Sequence, residues 1–212
     1  MAIKSISDLY NYSLFIFDLD NTIYNEEDYL FQAYEAVASR FSDMAAGHDK
    51  KSLYENLKQL YYKEGREKLF DKFLASAGID YSFMPECLNI LRNFKPEKPL
   101  IIYNNAAEVL KNLSEKKKNI FILTNGNTDQ QRNKIRNILW NGLDKHIRFI
   151  YADDIEPKPS PAGVHYILRI TNTKPGNALF VGDKDTDRQC AESGGIAYLD
   201  VSGLDLLLKK VE

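Results

Sequence analysis

The sequence predicts an α/β protein in which a parallel sheet is interrupted by a helical insert. Three observations predict it. Short, wholly apolar runs end abruptly in polar residues, as buried parallel strands do. Helical patterns lie between successive runs, which is the alternation that builds a parallel sheet. One long gap, from about Asn25 to Lys98, contains only amphipathic helical patterns.

The apolar runs give the strands in chain order. Four are clear because each is rich in Phe, Ile, Leu or Val, and a fifth, shorter strand is expected at Ile196–Leu199. The intervening patterns predict helices over Ala106–Lys116, Asp129–Leu139 and Pro161–Ile170. The four clear strands are Ser13–Phe17, Asn119–Leu123, Arg148–Tyr151 and Asn177–Val181.

The insert is predicted to be helical throughout, because its apolar residues recur at helical spacing. Pro96 and Pro99 flank its end and predict a hinge where the chain returns to the sheet. The four amphipathic stretches are Tyr29–Phe41, Ser52–Tyr62, Glu67–Ala77 and Glu86–Phe94.

The composition excludes several classes of function. The 212 residues carry a net charge of -2, and 44% are hydrophobic, which is ordinary globular usage. No apolar run approaches the roughly 18 residues of a membrane span. A near-neutral balance argues against nucleic acid or anionic membrane as the main partner. Cys87 and Cys190 match no metal or disulfide spacing and suit a reducing compartment, so we expect a cytoplasmic protein.

Ligands of open parallel sheets bind beyond the carboxyl ends of the strands, so the residues that follow each run carry the chemistry. Asp18 and Asp20 follow the first run and point the same way, because they are two apart in an extended segment. A calcium loop fits the first acids but fails later: Ile23 replaces the required glycine and Tyr29 the required glutamate. The pair therefore predicts a functional site.

A second acidic cluster follows the fourth run, where Asp183, Asp185 and Asp187 alternate. A calcium loop fails here too, at Arg188 and Gly194. These carboxylates are expected to meet those of the first junction at one sheet edge. Such a cluster of hard oxygen donors suits magnesium.

The other two junctions are weaker on their own. Thr124–Gly126 precedes a helix and could hold an anion, although such turns are common connectors. Lys158 stands between Pro157 and Pro159, so it is held rigidly near the acids, whereas an isolated lysine is usually a solvated charge. Ser160 and Asp153 beside it could be simple turn and cap residues.

These four junctions, in this order, resemble the motifs of the haloacid dehalogenase superfamily of phosphohydrolases. The likeness implies a doubly wound, Rossmann-like core of residues 1–24 and 99–212. It also implies a helical cap, residues 25–98, inserted after the first motif. The matching residues are Asp18–Thr22, Thr124–Asn125, Lys158, and Gly182–Asp183 with Asp187.

The resemblance also implies roles. Asp18 would be the nucleophile, Asp20 the general acid/base, and Lys158 a stabiliser of charge. Mg²⁺ would lie on Asp18, on the backbone carbonyl of Asp20 and on Asp183, with Asp187 orienting the metal site. Lys184 and Asp185 depart mildly from the family, which often has Ser or Gly after the fourth-motif acid, and they receive no role. The residues implied to bind phosphate are Thr124 and Asn125.

The physical chemistry agrees with these roles. A carboxylate is ionised at pH 7 without an activating base, so Asp18 can attack phosphorus directly. The obstacle is repulsion of about 4 kcal/mol per carboxylate–oxyanion pair at 4 Å and an effective dielectric of 20, which a divalent cation and Lys158 must offset. The expected activity is a magnesium-dependent phosphatase that hydrolyses a small phosphorylated metabolite, such as a sugar phosphate or nucleotide, through an aspartyl-phosphate, as a monomer or homodimer.

The alternatives use the same site. A phosphomutase would return the phosphoryl group to its substrate, and release of free phosphate would separate the two activities. A dehalogenase or a phosphonate-cleaving enzyme is disfavoured, because the superfamily members with those activities lack an acid at the position of Asp20. A non-catalytic interaction protein is disfavoured because it has no reason to keep mutually repelling acids. Lys63 and Arg66 of the insert could contact a second anionic group, but charged residues of a helix more often lie on its solvated face. The aromatic residues of the insert are more often part of its core than of a pocket.

Overall fold

The computed structural model describes residues 5–45 and 47–209. Its strands form one five-stranded sheet and a separate two-stranded sheet made of β2 and β4. The strands are β1 (Leu14–Phe17), β2 (Leu100–Ile101), β3 (Asn119–Thr124), β4 (Ile138–Leu139), β5 (Ile147–Tyr151), β6 (Ala178–Gly182) and β7 (Ala197–Asp200).

The large sheet has the order β5-β3-β1-β6-β7, and its strands run parallel. The central strand β1 pairs Leu14 with Asn119 on one side and with Ala178 on the other. The strand order reverses at β1 and β6, which is the switch point where open α/β sheets bind their ligands. This topology confirms the predicted doubly wound parallel α/β class.

Helices connect these strands and form the insert. They are α1 (Ile6–Leu9), α2 (Glu27–Phe41), α3 (Lys50–Glu64), α4 (Leu69–Ser76), α5 (Met84–Asn93), α6 (Asn104–Glu115), α7 (Thr128–Asn137), α8 (Ala162–Thr171), α9 (Asp185–Ser193) and α10 (Val201–Lys209). Among the described residues, none of these helices combines the length and the apolar character needed to span a bilayer.

One helix differs from its predicted extent. The pattern over Asp129–Leu139 predicts a single helix, but α7 ends at Asn137 and Ile138–Leu139 form β4. Ile138 is buried while Leu139 is half exposed, which is the alternation of a strand. Asn141 and Gly142 follow with positive φ and turn the chain.

The three central strands β3, β1 and β6 are buried along almost their whole length because both of their faces are covered. Leu14 and Ile16 of β1 pack with Phe121 of β3 in a cluster that also contains Val164 of α8 and Cys190 of α9. Phe15 and Phe17, which alternate with them, are equally buried. Burial on both faces fixes the register of β1 and hence the position of the residues that follow it.

Packing divides the chain into two compact units. The sheet unit comprises Met1–Asn25, Ile101–Gln131 and Ile138–Glu212, and the helical unit comprises Glu26–Leu100 and Arg132–Asn137. Arg132–Asn137 lies within residues 99–212, which the sequence predicts to be part of the core. It packs with the helical unit because Lys134 pairs with Glu26 and the Asn133 side chain donates to the Phe94 carbonyl.

The helical unit is built around α2, which packs against α3 and α5. Tyr29 and Tyr34 of α2 are buried, so these two aromatics are core residues, as the sequence favoured. Tyr62 of α3 is 63% exposed but stacks edge-on with Phe31. Lys63 is exposed, in keeping with a solvated helix face.

The two cysteines provide a test of core packing. Both side chains are buried, and burial raises the pKa of the Cys87 thiol to about 12 and that of Cys190 to about 11. The thiolate is the reactive form, and an unfolded thiol has a pKa of about 8.5. At pH 8 we therefore expect native thiols to react with a disulfide reagent at least ~100-fold more slowly than thiols unfolded in urea. A thiol that reacts in the native protein at the unfolded rate would contradict this packing.

Candidate active site

The first two acidic residues of the predicted site follow β1 directly. The Asp18 backbone N–H donates to the Val181 carbonyl at 2.9 Å, which continues the pairing of β1 with β6. The side chains of Asp18 and Asp20 are almost fully buried, at 3% and 4% exposure. Buried carboxylates need partners, so the groups around them define the site.

Lys158 is the cation at this site. Its Nζ lies 2.5 Å from Asp18 Oδ1 and 2.6 Å from Asp187 Oδ1, and it also donates to the Leu123 carbonyl at 3.0 Å. The residue is only 5% exposed. Burial lowers the pKa of Lys158, but the carboxylates of Asp18 and Asp187 raise it by more, so the net shift is upward and the ammonium stays charged. The structure thus joins residues 140 positions apart in one ion-pair cluster.

Asn125 holds the backbone of Lys158. Its side-chain Nδ2 donates to the Lys158 carbonyl and its Oδ1 accepts from the Lys158 N–H, both at 2.8 Å. This reciprocal pair fixes the start of the lysine side chain. Asn125 is predicted to bind phosphate, but in the structure its side chain is engaged with Lys158.

Asp187 approaches the sheet closely because Gly182 has no side chain. A Cβ on Gly182 would lie 2.5 Å from Asp187 Oδ2, so only glycine fits there. Asp187 is fully buried, and its Oδ2 accepts from the Lys184 backbone N–H at 3.1 Å. Lys184 and Asp185, which received no role, are both exposed.

The electrostatics of Asp18 reflect its crowded surroundings. Burial raises the pKa of Asp18 to about 6; the nearby Lys158 opposes the shift, and the carboxylates of Asp187 and Asp20 add to it. Burial likewise raises the pKa of Asp183. Lys184 opposes both shifts, but the carboxylates of Asp18, Asp20, Asp183 and Asp187 still outnumber the ammonium groups of Lys158 and Lys184.

The donor set fits a divalent cation. Asp18, Asp183 and Asp187 each offer a carboxylate oxygen, and these oxygens lie within 4.8 Å of one another. Asp18 Oδ2 and Asp183 Oδ1 are buried atoms that receive no hydrogen bond from the described residues. Asp187 differs in part, because its Oδ1 lies 2.6 Å from Lys158 Nζ and its Oδ2 accepts from the Lys184 N–H. Unpartnered carboxylate oxygens in a hard-oxygen cluster are the ligands that magnesium prefers.

The loop after β3 is organised by acids of the chain itself. Gly126 N–H donates to Asp153 Oδ1 at 2.9 Å, and the Thr128 hydroxyl donates to Asp154 Oδ1 at 2.6 Å. Asp153 and Asp154 thus accept hydrogen bonds from the Gly126 amide and from the first residue of α7, the region that the sequence predicts as a possible anion site. Asp153 is thus a turn-stabilising residue, one of the two possibilities that the sequence left open. Thr124 remains buried at the end of β3.

Two polar side chains at Asp20 were not predicted as site residues. The Tyr24 hydroxyl donates to Asp20 Oδ1 at 2.8 Å, and Gln131 Nε2 donates to Asp20 Oδ2 at 3.2 Å. Gln131 belongs to none of the four motifs, although its place in the first turns of the helix after Thr124 was an available signal.

The helical unit contains a second buried ion pair that no sequence pattern indicated. Lys134 is fully buried, and its Nζ lies 2.8 Å from Glu26 Oε1. Arg66 donates to the same oxygen at 2.5 Å, so its head group pairs with a buried acid as well as with solvent. A lysine in the strongly polar helix α7 gives no sign in sequence that it is buried.

Comparison with known proteins identifies the family of the chain. The family model described as haloacid dehalogenase-like hydrolase matches residues 15–201. A phosphoglycolate phosphatase of Pseudomonas syringae pv. tomato is 25% identical over 197 residues, which cover 89% of this chain and 69% of the relative.

Two solved structures share the fold. YfnB, a HAD hydrolase of Bacillus subtilis determined with bound magnesium, has a TM-score of 0.59 at 22% identity, with 88% of this chain and 87% of that chain covered. A haloacid dehalogenase-like hydrolase of Bacteroides fragilis has a TM-score of 0.57 at 19% identity, with 88% and 86% covered. Because the family model spans most of the chain and the fold agrees, the protein belongs to the haloacid dehalogenase-like hydrolase family.

Proposed function

We propose that the protein is a magnesium-dependent phosphatase that hydrolyses a small phosphomonoester through an aspartyl-phosphate on Asp18. The observation that carries the proposal is the buried Lys158 between Asp18 and Asp187, beside unpartnered oxygens of Asp18 and Asp183. The phosphoglycolate phosphatase relatives support the reaction class. They add phosphoglycolate to the sugar phosphates and nucleotides that the sequence favoured.

Asp18 supplies the nucleophile. With a pKa of about 6, its carboxylate is mostly ionised at pH 7.5, so no base is needed to activate it. One carboxylate oxygen forms a bond to phosphorus while the bond from phosphorus to the ester oxygen breaks. Lys158, held charged by its two acids, lies where it can offset charge on the transferring group.

Asp20 acts as the general acid and then as the general base. In the first step it gives a proton to the departing ester oxygen, which leaves as an alcohol. In the second step it takes a proton from the water that attacks the aspartyl-phosphate, and the bond from phosphorus to Asp18 breaks to release phosphate. Thr124 and the Asn125 N–H are the groups proposed to bind the phosphoryl oxygens.

Magnesium would be held by Asp18, Asp183 and the backbone carbonyl of Asp20, where it supplies positive charge against the phosphoryl oxygens. Asp187 keeps Lys158 and the acids in place from outside that set. The charge balance supports this assignment, because the carboxylates outnumber the buried cation.

We also propose that the helical unit acts as a cap that limits the size of the substrate. It is a compact unit of its own, joined to the sheet unit near residues 25–26 and 100–101 as well as within α7. We expect hinges near Tyr24–Asn25 and Phe94–Pro99, beside the first two of these connections. A cap over a phosphatase site excludes bulk water and encloses the leaving group.

Replacing the nucleophile gives the first test of the activity. Asp18→Asn should lose phosphate release by well over tenfold, because an amide is far less nucleophilic than a carboxylate. The measurement is phosphate release from a panel of phosphorylated metabolites, with circular dichroism as the check on folding. Asp144→Asn, an exposed acid of the sheet unit, is the control and should retain the parent rate. Turnover of Asp18→Asn within tenfold of the parent would refute the nucleophile assignment.

Metal binding can be tested apart from turnover. Free Mg²⁺ at a hundredfold excess over its Kd should stabilise the parent by about 2.7 kcal/mol. Asp183→Asn should lose most of this stabilisation, because it removes a negative oxygen ligand. The matched control is Asp185→Asn at the start of α9, whose side chain is exposed and contacts Arg188 and Gln189 of the same helix. Equal magnesium-induced shifts in melting temperature for the parent and Asp183→Asn would exclude this metal site.

The cap proposal predicts a ranking of substrates. Small phosphomonoesters should exceed a phosphopeptide or a phosphorylated oligonucleotide in kcat/KM by at least about tenfold, or roughly 1.4 kcal/mol of transition-state discrimination. The assay compares phosphate release from the best metabolite, a phosphopeptide and a folded phosphoprotein. If the phosphoprotein is hydrolysed as efficiently as the metabolite, the helical unit is a docking surface and not a size filter.

A further inference from the structure

The carboxylate of Asp20 is gripped by a neutral donor on each of its oxygens. Tyr24 donates its hydroxyl to Oδ1 at 2.8 Å and Gln131 donates its Nε2 to Oδ2 at 3.2 Å. Both donors are buried, at 0% and 2% exposure, so water does not compete for these bonds. Two donors on opposite oxygens fix the plane of the carboxylate as well as its position.

Each donor is itself held by a loop of the site. Gln131 Nε2 also donates to the Asn125 carbonyl at 2.6 Å, which ties it to the loop that holds Lys158. Gly126 has a φ of +112°, and a Cβ there would lie 3.0 Å from Gln131 Nε2. The absence of that Cβ lets the amide settle against the loop.

Tyr24 is placed by the turn that Asp20 begins. The backbones of Asp20 and Tyr24 form a parallel bridge, and Tyr24 forms an antiparallel bridge with Ile102. Asn21 donates its N–H to the Tyr24 carbonyl at 2.9 Å and has a φ of 60°. This turn brings the phenol back onto the carboxylate from which the turn started.

The orientation of the Gln131 amide follows from its partners. Asp20 Oδ2 and the Asn125 carbonyl are both acceptors, so the amide group that faces them must be the NH₂. This orientation leaves Gln131 Oε1 buried with no hydrogen-bond partner among the described residues. A buried carbonyl oxygen without a hydrogen bond is unfavourable. The hydrogen bonds that the Gln131 NH₂ donates to Asp20 and to the Asn125 carbonyl must therefore offset this cost.

We propose that Tyr24 and Gln131 are positioning residues that aim the Asp20 carboxyl group at the leaving oxygen of the substrate. This inference rests on the proposed phosphatase function. It concerns one step: the O–H bond of the Asp20 carboxylic acid breaks as an O–H bond forms on the departing ester oxygen. If Asp20 loses one of these donors and its carboxyl group is misaligned, it should transfer its proton more slowly, while Asp18 and Lys158 remain in place.

The test uses the dependence of the rate on the leaving group. Tyr24→Phe and Gln131→Met each remove one donor, and Gln130→Met is the matched control, a buried neighbour on α7 whose Nε2 has no partner among the described residues. The rate of aspartyl-phosphate formation is measured in single turnovers by rapid quench. The substrates are p-nitrophenyl phosphate, whose leaving group needs little protonation, and the alkyl phosphate that the parent hydrolyses best.

We expect both variants to form the aspartyl-phosphate at least tenfold more slowly from the alkyl phosphate and within threefold of the parent rate from p-nitrophenyl phosphate, with KM unchanged. Gln130→Met should match the parent on both. Equal losses on both substrates would mean general damage to the site and would overturn the proposal, as would no loss on either. If the parent itself releases no phosphate from any substrate, the proposed function fails instead. If one variant does not fold, the other still decides.

Discussion

The site depends on one constraint, which is that carboxylates gathered at one sheet edge repel one another. Asp18, Asp183 and Asp187 place oxygens within 4.8 Å, and each pair of like charges at about 4 Å costs about 4 kcal/mol at an effective dielectric of 20. Lys158 offsets part of this, because its ammonium lies between Asp18 and Asp187 in a buried setting. Burial, with a smaller contribution from the neighbouring carboxylates, keeps the pKa of Asp18 near 6. The excess of negative charge suits the cluster to a divalent cation. The three carboxylates could therefore bind a metal ion, which would relieve their mutual repulsion.

Much of the local structure can be understood as the means of placing that one ammonium. The parallel register brings the ends of β1, β3 and β6 to a common edge, so the loops that follow them converge. Asn125 uses both ends of its amide on the backbone of Lys158, and the missing side chain of Gly182 makes room for Asp187. These contacts hold the groups of the site in place before any ligand binds, which is what a preorganised electrostatic site requires.

The sequence predicted the parallel sheet and the acids at its edge because both depend on local signals. An apolar run followed by an acid marks a strand end whatever the rest of the chain does. It could not predict groups whose role comes from three-dimensional neighbours. Gln131 looks like any polar residue of a helix, and the burial of Lys134 depends on Glu26, 108 positions away. Asn125 lies in a recognised motif, yet only the structure shows that its side chain is committed to Lys158. The end of α7 at Asn137 was missed because Ile138 and Leu139 also satisfy a helical period.

Asp18 and Asp20 are two residues apart and equally buried, yet their partners differ in kind. Asp18 faces an ammonium, a full positive charge that favours a permanent carboxylate and so suits a nucleophile. Asp20 faces a phenol and an amide, which orient the group without adding charge. Neutral donors also favour the carboxylate, but less strongly than a fixed cation does. They therefore better suit a group that must give up a proton and then take one back. Under the proposed function, the two aspartates therefore have different roles because their side chains have different partners. The partners of Asp20 favour the role of an acid/base over that of a second side-chain ligand to the metal.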